Sequence, residues 1–285
     1  MAQDPREHEQ APPARRLHAI DPAPDPVPPG NGEGVDDGDP DRQRRRGIYL
    51  LPNLITTGAL FSGFFAIVAA MNGRYETAAM AVFAALVLDA ADGRVARLTH
   101  TESAFGAEYD SLSDMVAFGV APALVIFSWS LQSLGQLGWV ATFIYMACAA
   151  LRLARFNMRP DNSSFVGLAS PSAAALIAGT VWVFTETAPT TPGPEGAGAV
   201  LLAALTAGAG LLMVSPLRYW SPKNVNLKGR VPFVALVAIV LGYALIMLDP
   251  PRVLLGGFVA YAFSGPVLWV LRRRRQAVAR AEREG

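Results

Sequence analysis

Asp89, Asp92, Asp110 and Asp114 are the residues best equipped for chemistry, because four acids stand where apolar sequence surrounds them. The segment reads Asp89-Ala-Ala-Asp92-Gly93-Arg94-Val95-Ala96-Arg97, then eight residues, then Gly106-Ala-Glu-Tyr-Asp110-Ser-Leu-Ser-Asp114. Apolar stretches at 78–88 and 115–129 flank it. On helices, acids three or four residues apart share one face, so two such helices meeting would gather four carboxylates in a small volume. Even one acid at mid-bilayer costs about 3 kcal/mol, so the arrangement demands compensating cations. Hard oxygen ligands favour Mg²⁺ or Mn²⁺.

Three neighbours sharpen this reading. Gly93 permits close backbone approach of a ligand. Arg97, one helical turn on from Gly93, offers a guanidinium suited to bidentate contact with phosphate. Gly106, four residues before Asp110, allows tight helix packing. Together they describe two metals bridging carboxylates and a diphosphate, with one carboxylate taking the proton of an attacking hydroxyl. The plainer alternative is a set of polar residues capping helix ends at a membrane edge. It accounts for any one acid, but poorly for all four with Gly93, Arg97 and Gly106. Glu102 and Glu108 read as ordinary loop acids, and His100 as a solvated loop residue, since oxygen donors already suffice. Cys148 is the only cysteine, which excludes a disulfide framework or thiolate site, and it reads as a buried, inert thiol.

These residues need elements to hold them. Charged residues make up 16% of the chain, well below the quarter usual in soluble domains, and the apolar residues fall in long runs. Runs long enough to cross a bilayer lie near 50–70, 76–96, 110–130, 137–156, 170–187, 197–215, 231–248 and 252–271. The expected fold is therefore an all-α polytopic bundle of about eight spans, with the third opening at the second acid pair. The last two are divided only by Asp249-Pro-Pro-Arg252, a tight turn. One set of loops carries Arg94, Arg97, Arg152, Arg155, Arg159, Arg218, Lys223, Lys228 and Arg230, and both ends are basic at Arg42 to Arg46 and Arg272 to Arg275. The opposite loops hold only Arg74 and Arg252. Positive charge marks the cytoplasmic side, so both termini and the acids are expected there, at the inner or plasma membrane. Residues 1–46, rich in Pro, Gly and charge, read as a disordered cytoplasmic tail. No internal repeat is visible. A cation transporter with acids lining an ion path is the rival from another class; the clustering of the acids beside Gly93 and Arg97 at one edge argues against it.

The pattern D-x-x-D-G-x-x-A-R-x8-G-x-x-x-D-x-x-x-D resembles the signature of CDP-alcohol phosphatidyltransferases at every fixed position. Pro52-Asn53-Leu54-Ile55-Thr56 looks like that family's cytidine-contacting element. Segments 151–157, 165–171 and 213–219 resemble those of the bacterial integral-membrane CDP-diacylglycerol–serine O-phosphatidyltransferases, with Ala169 where many relatives carry Pro. The resemblance covers about residues 48–230. It implies a six-helix core over 47–230, to which hydropathy adds two spans over 231–271 and charge a basic cytoplasmic tail at 272–285. It also implies transfer of a phosphatidyl group from CDP-diacylglycerol to L-serine with release of CMP, with glycerol 3-phosphate, inositol phosphate or choline as alternative acceptors.

The same resemblance assigns roles to residues. Asp89 and Asp110 would bridge two divalent cations, Asp92 would bind one, and Asp114 would bind the other and act as general base. Gly93, Arg97 and Ser103 would hold the CDP-diacylglycerol head group, with Pro52 and Asn53 on the cytidine side. Arg152 and Arg155, three apart on one helical face, are open to two readings. They mark topology, or one holds the serine carboxylate and the other a phosphate, with Asn157 and Ser170 adding hydrogen bonds. The implied partners are CDP-diacylglycerol, L-serine and membrane lipids, with no nucleic acid, in a homodimer.

Overall fold

The first helix, α1, runs Pro40–Met71 and is closed by a turn that sequence chemistry explains. Gly73 adopts φ 71°, while the Gly73 N–H reaches the Ala70 carbonyl and the Arg74 N–H the Ala69 carbonyl. Two such bonds around a left-handed glycine form a Schellman cap, and they reverse the chain at once into α2, Tyr75–Thr99. The two helices pack through small residues, Ala59, Ala66, Ala69 and Ala70 against Ala78, Ala79, Ala81 and Ala85, all buried. The Ser62 hydroxyl donates across the pair to the Ala81 carbonyl at 2.7 Å.

The computed structural model describes residues 40–99, 101, 103–158, 166–188, 193–217, 219 and 233–284, with backbone alone at 40–50, 233–235, 238–239, 272 and 274–284. The expected disorder of residues 1–39 and the readings of His100, Glu102, Arg159 and the basic loop at 220–230 lie outside them. Residues 40–46, assigned to the tail by composition, instead carry helical backbone in α1.

The third expected span begins earlier than 110. Helix α3, Ala104–Asp114, opens at Ser103, whose hydroxyl accepts the Gly106 N–H, so Glu108 is an exposed residue of this helix rather than of a loop. A π-helical segment, Met115–Val120, joins α3 to α4, Ala121–Trp129. Its cause is legible in the residues. Pro122 has no N–H to return to the Phe118 carbonyl four residues back, so α-helical pairing fails there. The buried Tyr145 hydroxyl donates to that carbonyl at 2.9 Å, and the Ala121 N–H reaches back five residues to Val116. Gly63 of α1 meets this segment closely, since a Cβ at position 63 would lie 2.7 Å from the Ala117 Cα.

A short 3₁₀ turn, Leu131–Leu134, leads to α5, Gln136–Met158, followed by α6, Ser170–Thr187, α7, Ala197–Val214, α8, Phe233–Leu248, and α9, Pro250–Glu284. Asp249 alone separates α8 from α9, as the tight-turn reading expected. Its carboxylate accepts the Arg252 N–H at 3.2 Å and pairs with the Arg252 guanidinium. Helix α9 runs on through the basic residues expected as a tail after 271.

Helix α6 lies at the centre, packed against α2, α4, α7 and α9. Ala173 through Val181 are buried without a break. The protein is an all-α polytopic bundle, and five helical segments among the described residues are long and apolar enough to cross a membrane: Leu51–Met71, Ala104–Trp129, Gln136–Met158, Ala197–Val214 and Pro250–Leu271. The other three expected spans fall short for separate reasons. Helix α2 carries Glu76, Asp89, Asp92, Arg94 and Arg97, α6 is diluted by Ser, Thr and Pro, and α8 has 16 residues. A helix enclosed by other helices needs small side chains more than apolar ones, which α6 supplies with Ala173, Ala174, Ala175, Ala178 and Gly179.

Candidate active site

Helices α2 and α3 bring the acids together. Asp89, Asp92 and Asp110 each present a carboxylate oxygen, and these oxygens lie within 4.8 Å of one another. Asp92 is buried, while Asp89 and Asp110 are partly so. Asp114, one turn beyond Asp110, stands outside this group but within hydrogen-bond reach of Asp89. Among the described residues the only ion pair is Arg252–Asp249, so no described Lys or Arg side chain forms an ion pair with the cluster. Three hard oxygen donors converging without a protein counter-charge fit a divalent cation.

Helix α1 supplies a polar wall to this cluster. Thr56, buried, donates its hydroxyl to Asp92 Oδ2 at 2.7 Å, and the Pro52 carbonyl lies further off at 3.1 Å. The hydroxyl has one proton, and the shorter contact to a carboxylate is the stronger claim on it. One position on, Thr57 donates to the Asn53 carbonyl at 2.7 Å and faces the Tyr109 hydroxyl of α3 at 2.9 Å. The buried Ser113 hydroxyl donates to the Thr56 carbonyl at 3.2 Å. These bonds tie α1 to both acid-bearing helices. Spacing could have flagged Thr56, which lies three residues after Asn53 and four after Pro52 on the same helical face. Tyr109 and Ser113 had no such signal, since only the folded α1–α3 contact defines them.

The expected donor-site residues gather on the same side. A Cβ on Gly106 would lie 3.1 Å from Ser103 Oγ and 3.4 Å from Asn53 Oδ1, so glycine lets the start of α3 sit directly on α1. Ser103 uses its oxygen to cap α3. Arg97 is exposed, and its guanidinium lies beside Gly93, 3.7 Å from where a Cβ would stand.

The second basic cluster divides. Arg152 is partly buried, and its Nη1 donates to the Oγ of fully buried Ser170, the first residue of α6, at 2.5 Å. Its Nε is buried without a hydrogen-bond partner, and its charge interacts with Asp114. Arg155, one turn away, is exposed and forms no hydrogen bond or ion pair among the described residues. Asn157 is exposed and accepts from Ser111 of α3 at 3.2 Å, which places it beside the second acid pair rather than with Arg152 and Ser170. Cys148 is buried and free, as expected.

The arrangement, converging oxygen donors that fit a divalent cation on helices that also carry Arg97, suits chemistry on a phosphate ester whose lipid part stays among the helices. Comparison with known proteins agrees. A family model described as CDP-alcohol phosphatidyltransferase matches residues 49–264. The chain is 36% identical over 226 residues to the CDP-diacylglycerol–serine O-phosphatidyltransferase of Helicobacter pylori (strain J99), an alignment covering 78% of this chain and 92% of that one. It is 31% identical over 170 residues to the protein of the same name from Bacillus subtilis, covering 59% and 89%, and 40% identical over 145 residues to that of Mycobacterium tuberculosis (strain H37Rv), covering 47% and 50%. The family match reaches past residue 230 into α9, further than the resemblance read from the sequence. With three quarters of its length matched and the acid cluster in place, the chain belongs to the CDP-alcohol phosphatidyltransferase family.

Proposed function

We propose that the protein transfers the phosphatidyl group of CDP-diacylglycerol to the hydroxyl of L-serine, yielding phosphatidylserine and CMP. The observation that carries this reading is the convergence of Asp89, Asp92 and Asp110 within 4.8 Å, in a family member whose relatives are named for transfer to serine.

Asp89, Asp92 and Asp110 would hold divalent cation, with Asp114 as a further ligand. Two ions, Mg²⁺ or Mn²⁺, match the donor set. When bound, they draw charge from the diphosphate and fix it against the carboxylates. Asn53 and Pro52 meet the cytidine side, and Gly93, Arg97 and Ser103 the head-group phosphates. Arg152 and Ser170 receive serine, the guanidinium facing its carboxylate through donors that Ser170 leaves unspent. Asp114, electrostatically linked to Arg152, takes the hydroxyl proton as the serine oxygen bonds to the lipid-side phosphorus. The bond from that phosphorus to the bridging oxygen breaks, and CMP departs with that oxygen. Arg155 and Asn157 lie further out, where they serve acceptor entry.

The basic residues support a cytoplasmic site with both termini on that side of the inner membrane. Membrane lipids are the surroundings, no feature calls for nucleic acid, and a homodimer is the assembly that the resemblance implies. CMP release by the purified protein tests the reaction. Release should depend on CDP-diacylglycerol and on serine, and should exceed that with glycerol 3-phosphate, inositol phosphate or choline. Equal or greater release with another of these alcohols overturns the choice of acceptor.

A further inference from the structure

Two segments singled out in the sequence, 165–171 and 213–219, contribute no carboxylate to the cation site, yet the structure fastens one to the other. Helix α7 ends at Val214, and its last carbonyls have no partner within the helix. The loop entering α6 takes one of them. The Leu168 N–H donates to the Leu212 carbonyl at 3.0 Å, and the Gly167 N–H donates to the Leu217 carbonyl at 2.8 Å. The two backbones approach so closely that a Cβ on Gly167 would lie 2.1 Å from the Met213 carbonyl oxygen. Gly167 also has φ 85°, in the left-handed range that disfavours any side chain. Leu168 is fully buried and Met213 nearly so. Two residues past Leu217, the buried Tyr219 donates its hydroxyl to the Ala262 carbonyl of α9 at 3.2 Å.

This brace ends just short of the residue that holds Arg152. From Gly167 and Leu168 the chain passes through Ala169, extended at φ −63° and ψ 136°, to Ser170, the fully buried first residue of α6. Pro171 follows, its ring fixing φ near the helical value, so the entry into α6 keeps little freedom. Ser170 Oγ accepts from Arg152 Nη1 at 2.5 Å, while the buried Arg152 Nε has no hydrogen-bond partner. A guanidinium carries five N–H donors in a rigid planar fork, so fixing one donor aims the rest. We infer that Gly167 is a positioning residue for the acceptor site: seating 167–168 on the end of α7 fixes Ser170, and through Ser170 the Arg152 guanidinium. The end of α7 thereby helps to choose the acceptor without touching it. This rests on the proposal that Arg152 receives serine.

Steady-state kinetics of the full-length purified enzyme test it. Gly167→Ala sets a methyl against a backbone carbonyl that cannot retreat without opening the last turn of α7, so the loop must shift. Leu168→Ala leaves both backbone bonds possible but removes a fully buried side chain and loosens the loop, and it carries the test where Gly167→Ala does not fold. Either substitution should raise the serine KM about five-fold or more, with kcat, the CDP-diacylglycerol KM and inhibition by CMP changed less than about two-fold. In a Ser170→Ala background, where the link to Arg152 is already cut, the same substitutions should move the serine KM less than about two-fold. A merely structural role would lower the active fraction, seen as a loss of kcat with both KM values in place. That outcome, a rise in both KM values, or a serine effect carried unchanged into the Ser170→Ala background overturns the inference while leaving the reaction intact. Absence of serine-dependent CMP release from the wild-type enzyme removes the underlying reading instead, and the inference with it.

Discussion

On the α2–α3 side of the site, three carboxylates from two consecutive helices converge, and α1 braces them through Thr56, Thr57 and Asn53. On the α5–α6 side, one arginine is held by Ser170 from the next helix while its buried Nε has no hydrogen-bond partner. The first region is built from residues close in sequence, and its spacing is its function. The second joins Arg152 of α5 to Ser170 of α6 across an intervening loop, and no motif spacing announces it. Chemistry common to a whole family can be carried by a local motif, whereas recognition of one acceptor falls to contacts that only tertiary packing creates.

The largest expected effect breaks the acid side. Asp110→Asn, Asp89→Asn or Asp92→Asn should each lower kcat by about 10³-fold or more, since each removes a charged donor from a site with no substitute. Chelation of the wild-type enzyme should abolish CMP release, with recovery on adding Mg²⁺ or Mn²⁺. Full turnover in chelator would show that the carboxylates act without metal. On the other side, Arg152→Ala should raise the serine KM by about ten- to a hundred-fold, the worth of a charge-assisted contact. CDP-diacylglycerol binding should stay near wild type, and a loss confined to that lipid would move Arg152 to the donor site.

A smaller effect sharpens the account of the α1 brace. Thr56→Val keeps the shape but removes the proton given to Asp92, and an outer partner of this kind is worth about ten-fold in metal affinity. Thr56→Ser should recover most of it, measured as the Mg²⁺ concentration for half-maximal activity. Recovery by Val as well as by Ser would reduce Thr56 to packing. The smallest effect separates the two arginines. Arg155→Ala, at an exposed position with no described partner, should alter the serine KM less than about two-fold, within the range of surface changes. A shift matching that of Arg152→Ala would show that both guanidinium groups receive serine.

The contrast also decides what was readable in the sequence. Asp89, Asp92 and Asp110 were found by helical periodicity alone, because i,i+3 spacing and one helix crossing place them together. Most helix ends lay within a few residues of the apolar runs. Arg152 and Arg155 could not be told apart, since spacing puts both on one face and only the start of α6 engages the first. Ser103 signalled a ligand contact, and its oxygen also accepts the Gly106 N–H that starts α3, a second duty the motif did not announce. The start of α3 was placed six residues late because Glu108 and Tyr109 dilute hydropathy, although the cap at Ser103 already permits helix there.

The π-helical turn at Met115–Val120 has a consequence for how this scaffold can vary. It holds one residue more than an α-helical path would, and it falls between the last acid and the apolar run of α4. Removing a single residue there would restore regular winding and swing α4 by about 100° relative to the carboxylates. The extra residue works as a phase adjuster. Upstream of it the helix is clocked to the metal site, downstream to its apolar neighbours, and neither face has to compromise for the other.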